Sequence, residues 1–144
     1  MRIVTSFLAL PYGNRLLLLK ALIALVFVRL ALGIVPAEWL RAWATRLAPN
    51  RRLAKRPAER ITWAVSACAR RLPGCTCLVQ AFALQRLLSR EGHVSELHIG
   101  VARHEAGLAA HAWIVCAGMT LIGESHAGEY APLVAWRVAR PDDA

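Results

Sequence analysis

Apolar residues recur at helical spacing through the first half of the chain. Residues 15–34 predict a long helix, preceded by a Pro-Tyr-Gly-Asn turn and ended by Gly33. A second helix begins at Pro36, where proline suits the first position of a helix. It carries a stripe of large side chains that we interpret as packing anchors: Trp39, Leu40, Trp43 and Leu47. Residues 57–72 and 77–90 predict two further helices, and Gly92 stands where a left-handed residue ends the second of these.

After Gly92 the pattern changes to the alternation of half-buried strands. The predicted strands are residues 97–101, 112–116 and 119–123, and residues 132–134 with Trp136 predict either a short strand or a covering segment. His98 is expected to face outward from the first strand. Residues 103–109 predict a polar loop, and Ala117-Gly118 a tight turn. Helices followed by an antiparallel sheet indicate an α+β fold. A basic linker divides apolar accessory helices (residues 1–50) from a core domain (residues 57–144).

The charge is concentrated in one part of the chain. The formal net charge is +9, and residues 37–71, with nine basic and two acidic side chains, supply +7 of it. We interpret this stretch mainly as a solvated face, and no nucleic-acid motif accompanies it. Lys20 and Arg29 interrupt the apolar run at residues 16–35, which favours a helix docked on a domain, a partner or a membrane surface over a spanning helix.

The four cysteines (Cys68, Cys75, Cys77 and Cys116) have spacings that fit no zinc motif. We predict no metal and no cofactor. The first ten residues lack a small-residue cleavage site, so free thiols in a reducing cytosol are the expectation. Cys68 lies on the apolar stripe of its helix and is predicted to be a core residue.

Cys77 is the candidate nucleophile. It follows Thr76, a good N-cap residue, at the predicted start of a helix. Backbone amides and the helix dipole favour negative charge there, which suits a thiolate and an oxyanion beside it. His111, at the start of a predicted strand, could act as the base that pairs with it. A buried structural thiol and a hydrogen-bonded structural histidine are the alternatives.

Three segments carry a family resemblance: TCLVQAFALQRLL at residues 76–88 leading into EGH at 91–93, LHIGVAR at 97–103, and AHAW at 110–113. Together they resemble the stand-alone, transglutaminase-like leader peptidases of lasso-peptide biosynthesis, over about residues 57–133. The resemblance implies a papain-like or transglutaminase-like core with Cys77 as nucleophile and His111 as base. It also implies removal of the leader from a ribosomally made precursor peptide, with a separate small leader-binding protein and a lasso cyclase as partners. Gln80 and Trp113 are the candidates for oxyanion or substrate contacts.

The third catalytic residue departs from the family pattern. That pattern places an aspartate about 12 residues after the histidine, where this chain has Gly123, followed by Glu124. Glu124 is the candidate to orient the imidazole. A Cys77–His111 dyad, or a contribution from Asp142 or Asp143, remains open.

Two other functions remain open from the sequence. The same residues could act on a glutamine side chain, as a transglutaminase or deamidase does. Alternatively, the chain could be a non-catalytic scaffold that uses its apolar helix and basic stretch. We expect a cytoplasmic protein, with peripheral contact to the inner face of the membrane as a further option.

Overall fold

A computed structural model describes residues 8–46, 56–123 and 130–138. These residues form a helical layer followed by an antiparallel sheet, which confirms the α+β prediction. The helices are α1 (Tyr12–Ala31), α2 (Ala37–Thr45), α3 (Ala58–Ala69) and α4 (Cys77–Glu91). The strands are β1 (Ser95–His104), β2 (Gly107–Cys116), β3 (Met119–Ile122) and β4 (Ala131–Arg137).

The strands lie in the order β3-β2-β1-β4, with every neighbouring pair antiparallel. Leu97 pairs with Ile114, and both are fully buried against the helices. His98 pairs with Trp113 on the opposite face, as expected from the period of two in a strand. One face of the sheet therefore packs in the helical core, and the other face carries His98 and Trp113.

The hydrophobic core is continuous across the helices and the sheet. α1 packs on α3 and α4, α2 packs on α4, and α4 packs on β2 and β1. The largest fully buried side chains of this core include Leu25, Leu40, Ile61, Phe82, Leu84, Leu88, Leu97 and Ile114. The first two helices thus share a core with the rest. The boundary expected between residues 50 and 57 stays a prediction, because residues 47–55, including Leu47, lie outside the described residues.

The polar loop predicted at residues 103–109 is wrong. β1 continues to His104 and β2 begins at Gly107, so only Glu105 and Ala106 form the turn. Both strand ends project into solvent, and their side chains therefore lack the alternation that marks a half-buried strand. Backbone pairing between the two strands holds this hairpin in place.

The turn predicted at residues 11–14 is wrong, because Pro11 is the N-cap of α1 and the helix begins at Tyr12. Two other local signals are confirmed. Gly92 ends α4 with a left-handed φ of 88°. Ala117 and Gly118 form the turn between β2 and β3, both at positive φ. Within the described residues, no helix is at once long and apolar enough to cross a membrane.

Candidate active site

Cys77 is the first residue of α4, and the residue before it caps the helix. Thr76 has an extended backbone, and its side-chain oxygen accepts a hydrogen bond from the Val79 amide at 3.4 Å. The predicted N-cap is therefore confirmed. Cys77 is half-buried against the core. Cys77 thus lies at the N-terminal end of a 15-residue helix, where free backbone amides and the helix dipole can stabilise negative charge that develops during a reaction.

The loop that leads to Cys77 is held from two sides. The Gln80 side-chain amide donates a hydrogen bond to the Cys75 carbonyl at 3.1 Å, which ties the loop to the first turn of α4. Gly74 has φ of +76°, and a Cβ there would lie 2.8 Å from Nε of Arg29. One hydrogen of the Gln80 amide is thus engaged in holding the loop, and its oxyanion role stays a prediction.

The other three cysteines are less suited to nucleophilic chemistry. Burial raises the pKa of Cys68, with Arg71 opposing the shift, and burial raises the pKa of Cys75, with Arg29 opposing it. Burial also raises the pKa of Cys116, and the nearby Glu59 adds to that shift. Cys68, predicted to be a core residue, is half-buried against the core, and its thiol donates to the Leu18 carbonyl at 3.4 Å. A raised pKa means a smaller thiolate fraction at neutral pH.

We expect iodoacetamide at neutral pH to modify Cys77 before Cys68, Cys75 and Cys116. The reagent attacks thiolates, and burial raises the pKa of those three thiols, which lowers their thiolate fraction at neutral pH. Their labelling should therefore accelerate with increasing pH. Peptide mapping by mass spectrometry over a time course checks the order. Labelling of Cys75 ahead of Cys77 would contradict it.

His111 lies in the middle of β2, paired with Gly100 of β1, and not at the start of a strand as predicted. Its neighbours Ala112 and Ile114 belong to the helical core, so its side chain lies on the other face of the sheet. The ring stacks with Trp113 at a centroid distance of 6.3 Å and lies 5.2 Å from the ring of Tyr130. Aromatic neighbours on two sides thus restrict the orientation of the imidazole.

Gly123 touches the imidazole directly. Its carbonyl oxygen lies 3.4 Å from Nε2 of His111, close enough to accept a weak hydrogen bond when Nε2 carries the proton. A Cβ at Gly123 would lie 2.7 Å from the same nitrogen, and φ there is +79°. The position where the family pattern has aspartate therefore holds a backbone carbonyl against the ring, with no space for a side chain. Glu124, like Asp142 and Asp143, lies outside the described residues.

A second row of side chains packs beside His111 on the face of the sheet opposite the helices. Trp113 is 6% exposed, and its indole stacks on the His98 ring at 5.4 Å with an interplanar angle of 9°. Nε2 of His98 lies 3.2 Å from a carboxylate oxygen of Glu96, whose other oxygen lies 3.1 Å from Nε of Arg137. His98 thus faces away from the core as predicted, but it packs against Trp113. Trp113 therefore supports the rings beside it, and its predicted contact with substrate stays a prediction.

Two residues that shape the site escaped the sequence analysis. A Cβ on Gly100 would lie 2.9 Å from the Trp113 ring and from the Ala131 carbonyl, so the glycine allows the indole to lie across β1. A glycine inside a strand is itself a signal of such close approach. Tyr130, beside His111, had no comparable signal, because its contact depends on how β4 returns to the sheet.

Cys77 and His111 lie on elements that pack against each other. After α4, the chain turns at Gly92 into β1, and α4 packs on both β1 and β2. The helix packs on the face of the sheet that carries Ala112 and Ile114, whereas the His111 side chain lies on the opposite face. The described residues therefore bring the elements of Cys77 and His111 into contact but not the two side chains onto one face, and their pairing stays a prediction.

One of the comparisons with known proteins identifies a family. A family model described as the transglutaminase-like superfamily matches residues 21–135. Neither a curated protein nor a solved structure matches the chain at a significant level. The family match confirms the expected transglutaminase-like core, a cysteine-protease-like fold. Because it runs from α1 into β4 and covers most of the chain, the protein belongs to the transglutaminase-like superfamily.

Proposed function

We propose that this protein is a cysteine peptidase that removes the leader from a lasso-peptide precursor. Membership of the transglutaminase-like superfamily supports acyl-transfer chemistry at a cysteine. The observation that carries the proposal is Cys77 at the capped start of α4, which packs on the strand that holds His111. The substrate class rests on the three segments that resemble lasso leader peptidases.

The proposed reaction begins when His111 takes the proton from the Cys77 thiol. The thiolate attacks the scissile carbonyl carbon, and the carbonyl oxygen becomes an oxyanion. His111 then protonates the leaving amine as the carbon–nitrogen bond breaks, which leaves a thioester on Cys77. Water activated by His111 hydrolyses the thioester, releases the leader and restores the thiol.

Backbone amides in the first turn of α4 are the best candidates to stabilise the oxyanion. Thr76 accepts from the Val79 amide through its hydroxyl and from the Gln80 amide through its carbonyl. The amides of Cys77 and Leu78 are therefore the two we assign to the oxyanion. The Gln80 side chain acts in this proposal chiefly by holding the Cys75 carbonyl, which keeps the loop and Cys77 in place.

We propose Glu124 as the residue that completes the catalytic triad. It directly follows Gly123, whose carbonyl contacts Nε2 of His111. A carboxylate beside the imidazole would stabilise its protonated form during the reaction. In the alternative, the Gly123 carbonyl alone orients the ring and the pair acts as a dyad. Loss of cleavage in Glu124→Gln would favour the triad, and unchanged cleavage the dyad.

The proposed partners are the precursor peptide, a separate small leader-binding protein and the lasso cyclase. The test is mass spectrometry of the cognate precursor, incubated with this protein and with the leader-binding protein. We expect scission at one peptide bond and no conversion of glutamine to glutamate. Intact precursor carrying deamidated or cross-linked glutamine would instead show that the enzyme acts on side-chain amides, as a deamidase or transglutaminase does. Neither reaction, with the protein folded and its partner present, would favour a scaffold.

A further inference from the structure

α1 carries large apolar side chains that its contacts with the core leave exposed. Its inner side, including Leu17, Leu25 and Val28, is buried against α3 and α4. On its outer side lies a second set of large apolar residues, which we call the outer stripe: Leu19, Leu22, Ile23, Val26, Phe27 and Leu30. Ile23 and Leu30 are 60% and 62% exposed. Exposed apolar side chains in a continuous row indicate a binding surface.

Aromatic residues extend the outer stripe at both ends. Tyr12, at the start of α1, is strongly exposed. At the other end, Trp39 of α2 is 50% exposed, and its ring lies 6.2 Å from that of Phe27. Tyrosine and tryptophan are enriched where proteins meet the headgroup region of a bilayer, because their rings are apolar and their tips polar.

The charged residues of α1 itself are all basic, and the exposed Glu38 of α2 lies beside Trp39 at one end of the outer stripe. Residues 8–37 contain Arg15, Lys20 and Arg29 and no acidic residue. With 3.6 residues per turn, Lys20 is rotated by about 60° around the helix axis to one side of Ile23, and Arg15 by about 80° to the other side. The apolar stripe therefore has a cation on each flank. An apolar strip with basic side chains on its flanks is complementary to an anionic membrane surface, whose headgroups carry negative charge.

We propose that the outer stripe of α1 docks this protein on the surface of an anionic lipid bilayer. The apolar side chains enter the boundary between headgroups and acyl chains. Lys20 meets lipid phosphates on one side, and on the other lies Arg15, whose guanidinium also donates to the carbonyls of Leu8 and Leu10. A second copy of the chain is a poorer occupant, because it would place the same cationic flanks against each other. The inference is independent of the reaction proposed for Cys77.

Flotation of the full-length protein with vesicles tests the proposal. We expect binding to vesicles of phosphatidylcholine with phosphatidylglycerol at least about tenfold tighter than to phosphatidylcholine alone, because each basic residue near an anionic surface contributes about fivefold. The double variant Ile23→Asn/Leu30→Asn should lose at least about tenfold on both vesicles. The matched control is Leu108→Asn/Leu133→Asn, which changes two exposed leucines on β2 and β4 and should bind as the wild type.

Two further measurements test the proposal without the double variant Ile23→Asn/Leu30→Asn, so that misfolding of that variant cannot be mistaken for loss of binding. Lys20→Gln should weaken binding about fivefold on anionic vesicles and leave phosphatidylcholine binding unchanged. Brominated lipids should quench the wild-type tryptophan emission, and Trp39→Phe should remove most of that quenching. Equal binding to both vesicle types, or no binding at all, would overturn the proposal. Concentration-dependent dimers or a complex with the leader-binding protein, lost in Ile23→Asn/Leu30→Asn without any vesicle binding, would assign the surface to a protein and overturn it equally.

Discussion

Replacing Cys77 by alanine is expected to abolish precursor cleavage, with a fall of about 10⁴-fold or more in kcat/KM. Alanine supplies no thiolate, so the thioester intermediate cannot form. The substitution leaves the N-cap residue Thr76 and the start of α4 in place, because neither depends on the Cys77 side chain. The rate should therefore fall with only a small change in the free energy of unfolding, as measured by urea denaturation, because the half-buried sulfur contributes little packing.

Cys75→Ala is the matched control for this prediction. Cys75 lies two residues away, and only its backbone carbonyl accepts the hydrogen bond from Gln80, which alanine preserves. Activity should therefore remain near the wild-type value. Full activity in Cys77→Ala, or an equal loss in both variants, would reject Cys77 as the nucleophile.

His111→Ala should cause a loss of similar size, because the thiol and its base act as a unit. The double variant Cys77→Ala/His111→Ala should be no worse than either single variant. His111→Gln separates chemistry from packing, since glutamine partly fills the space between Trp113 and Tyr130. If the losses in the two single variants instead multiply in the double variant, the two residues act independently and the pairing is wrong.

Gly123→Ala is expected to lower kcat/KM by about 100-fold, the size of effect that a misplacement of about 1 Å can have. The new Cβ would lie 2.7 Å from Nε2 of His111 and 3.0 Å from Cβ of Trp113, so the imidazole must move. The positive φ at this position also costs about 1–3 kcal/mol of stability for a residue with a side chain. Gly123→Asp should be no better, because its Cβ meets the same atoms.

Gly118→Ala provides the control that separates backbone strain from contact with the imidazole. Gly118 has φ of +78°, almost equal to that of Gly123, but a Cβ there would meet no atom within 4 Å. Urea denaturation should show the cost of backbone strain in both variants, with the close contacts adding to it in Gly123→Ala, whereas only Gly123→Ala should lose activity. Equal activity in the two variants would mean that Gly123 does not position the imidazole.

The parts of the site set by short-range interactions were predictable from sequence. The start of α4 follows from Thr76, whose hydroxyl caps the helix over a span of three residues. The end of α4 follows from Gly92, because few other residues adopt its left-handed backbone readily. The alternation in β1 likewise predicted that Leu97 and His98 lie on opposite faces. Each of these features depends on neighbours in the chain.

The surroundings of His111 could not be obtained in this way. The contacts of Gly123 and Tyr130 with its ring depend on strand pairing and on the return of β4. α1 presents a similar problem, because its sequence is apolar nearly all round and has no polar side that marks the surface. Only the positions of α3 and α4 decide that Leu25 is buried and Ile23 exposed.

The sequence by itself determined the order of helices and strands, the capped cysteine and the family resemblance, because periodicity and caps act over a few residues. The tertiary structure alone decided which face of β2 carries His111, which atoms touch its ring and which side of α1 remains in solvent. Those properties arise from contacts between segments far apart in the chain, and their geometry depends on the packing of the whole fold.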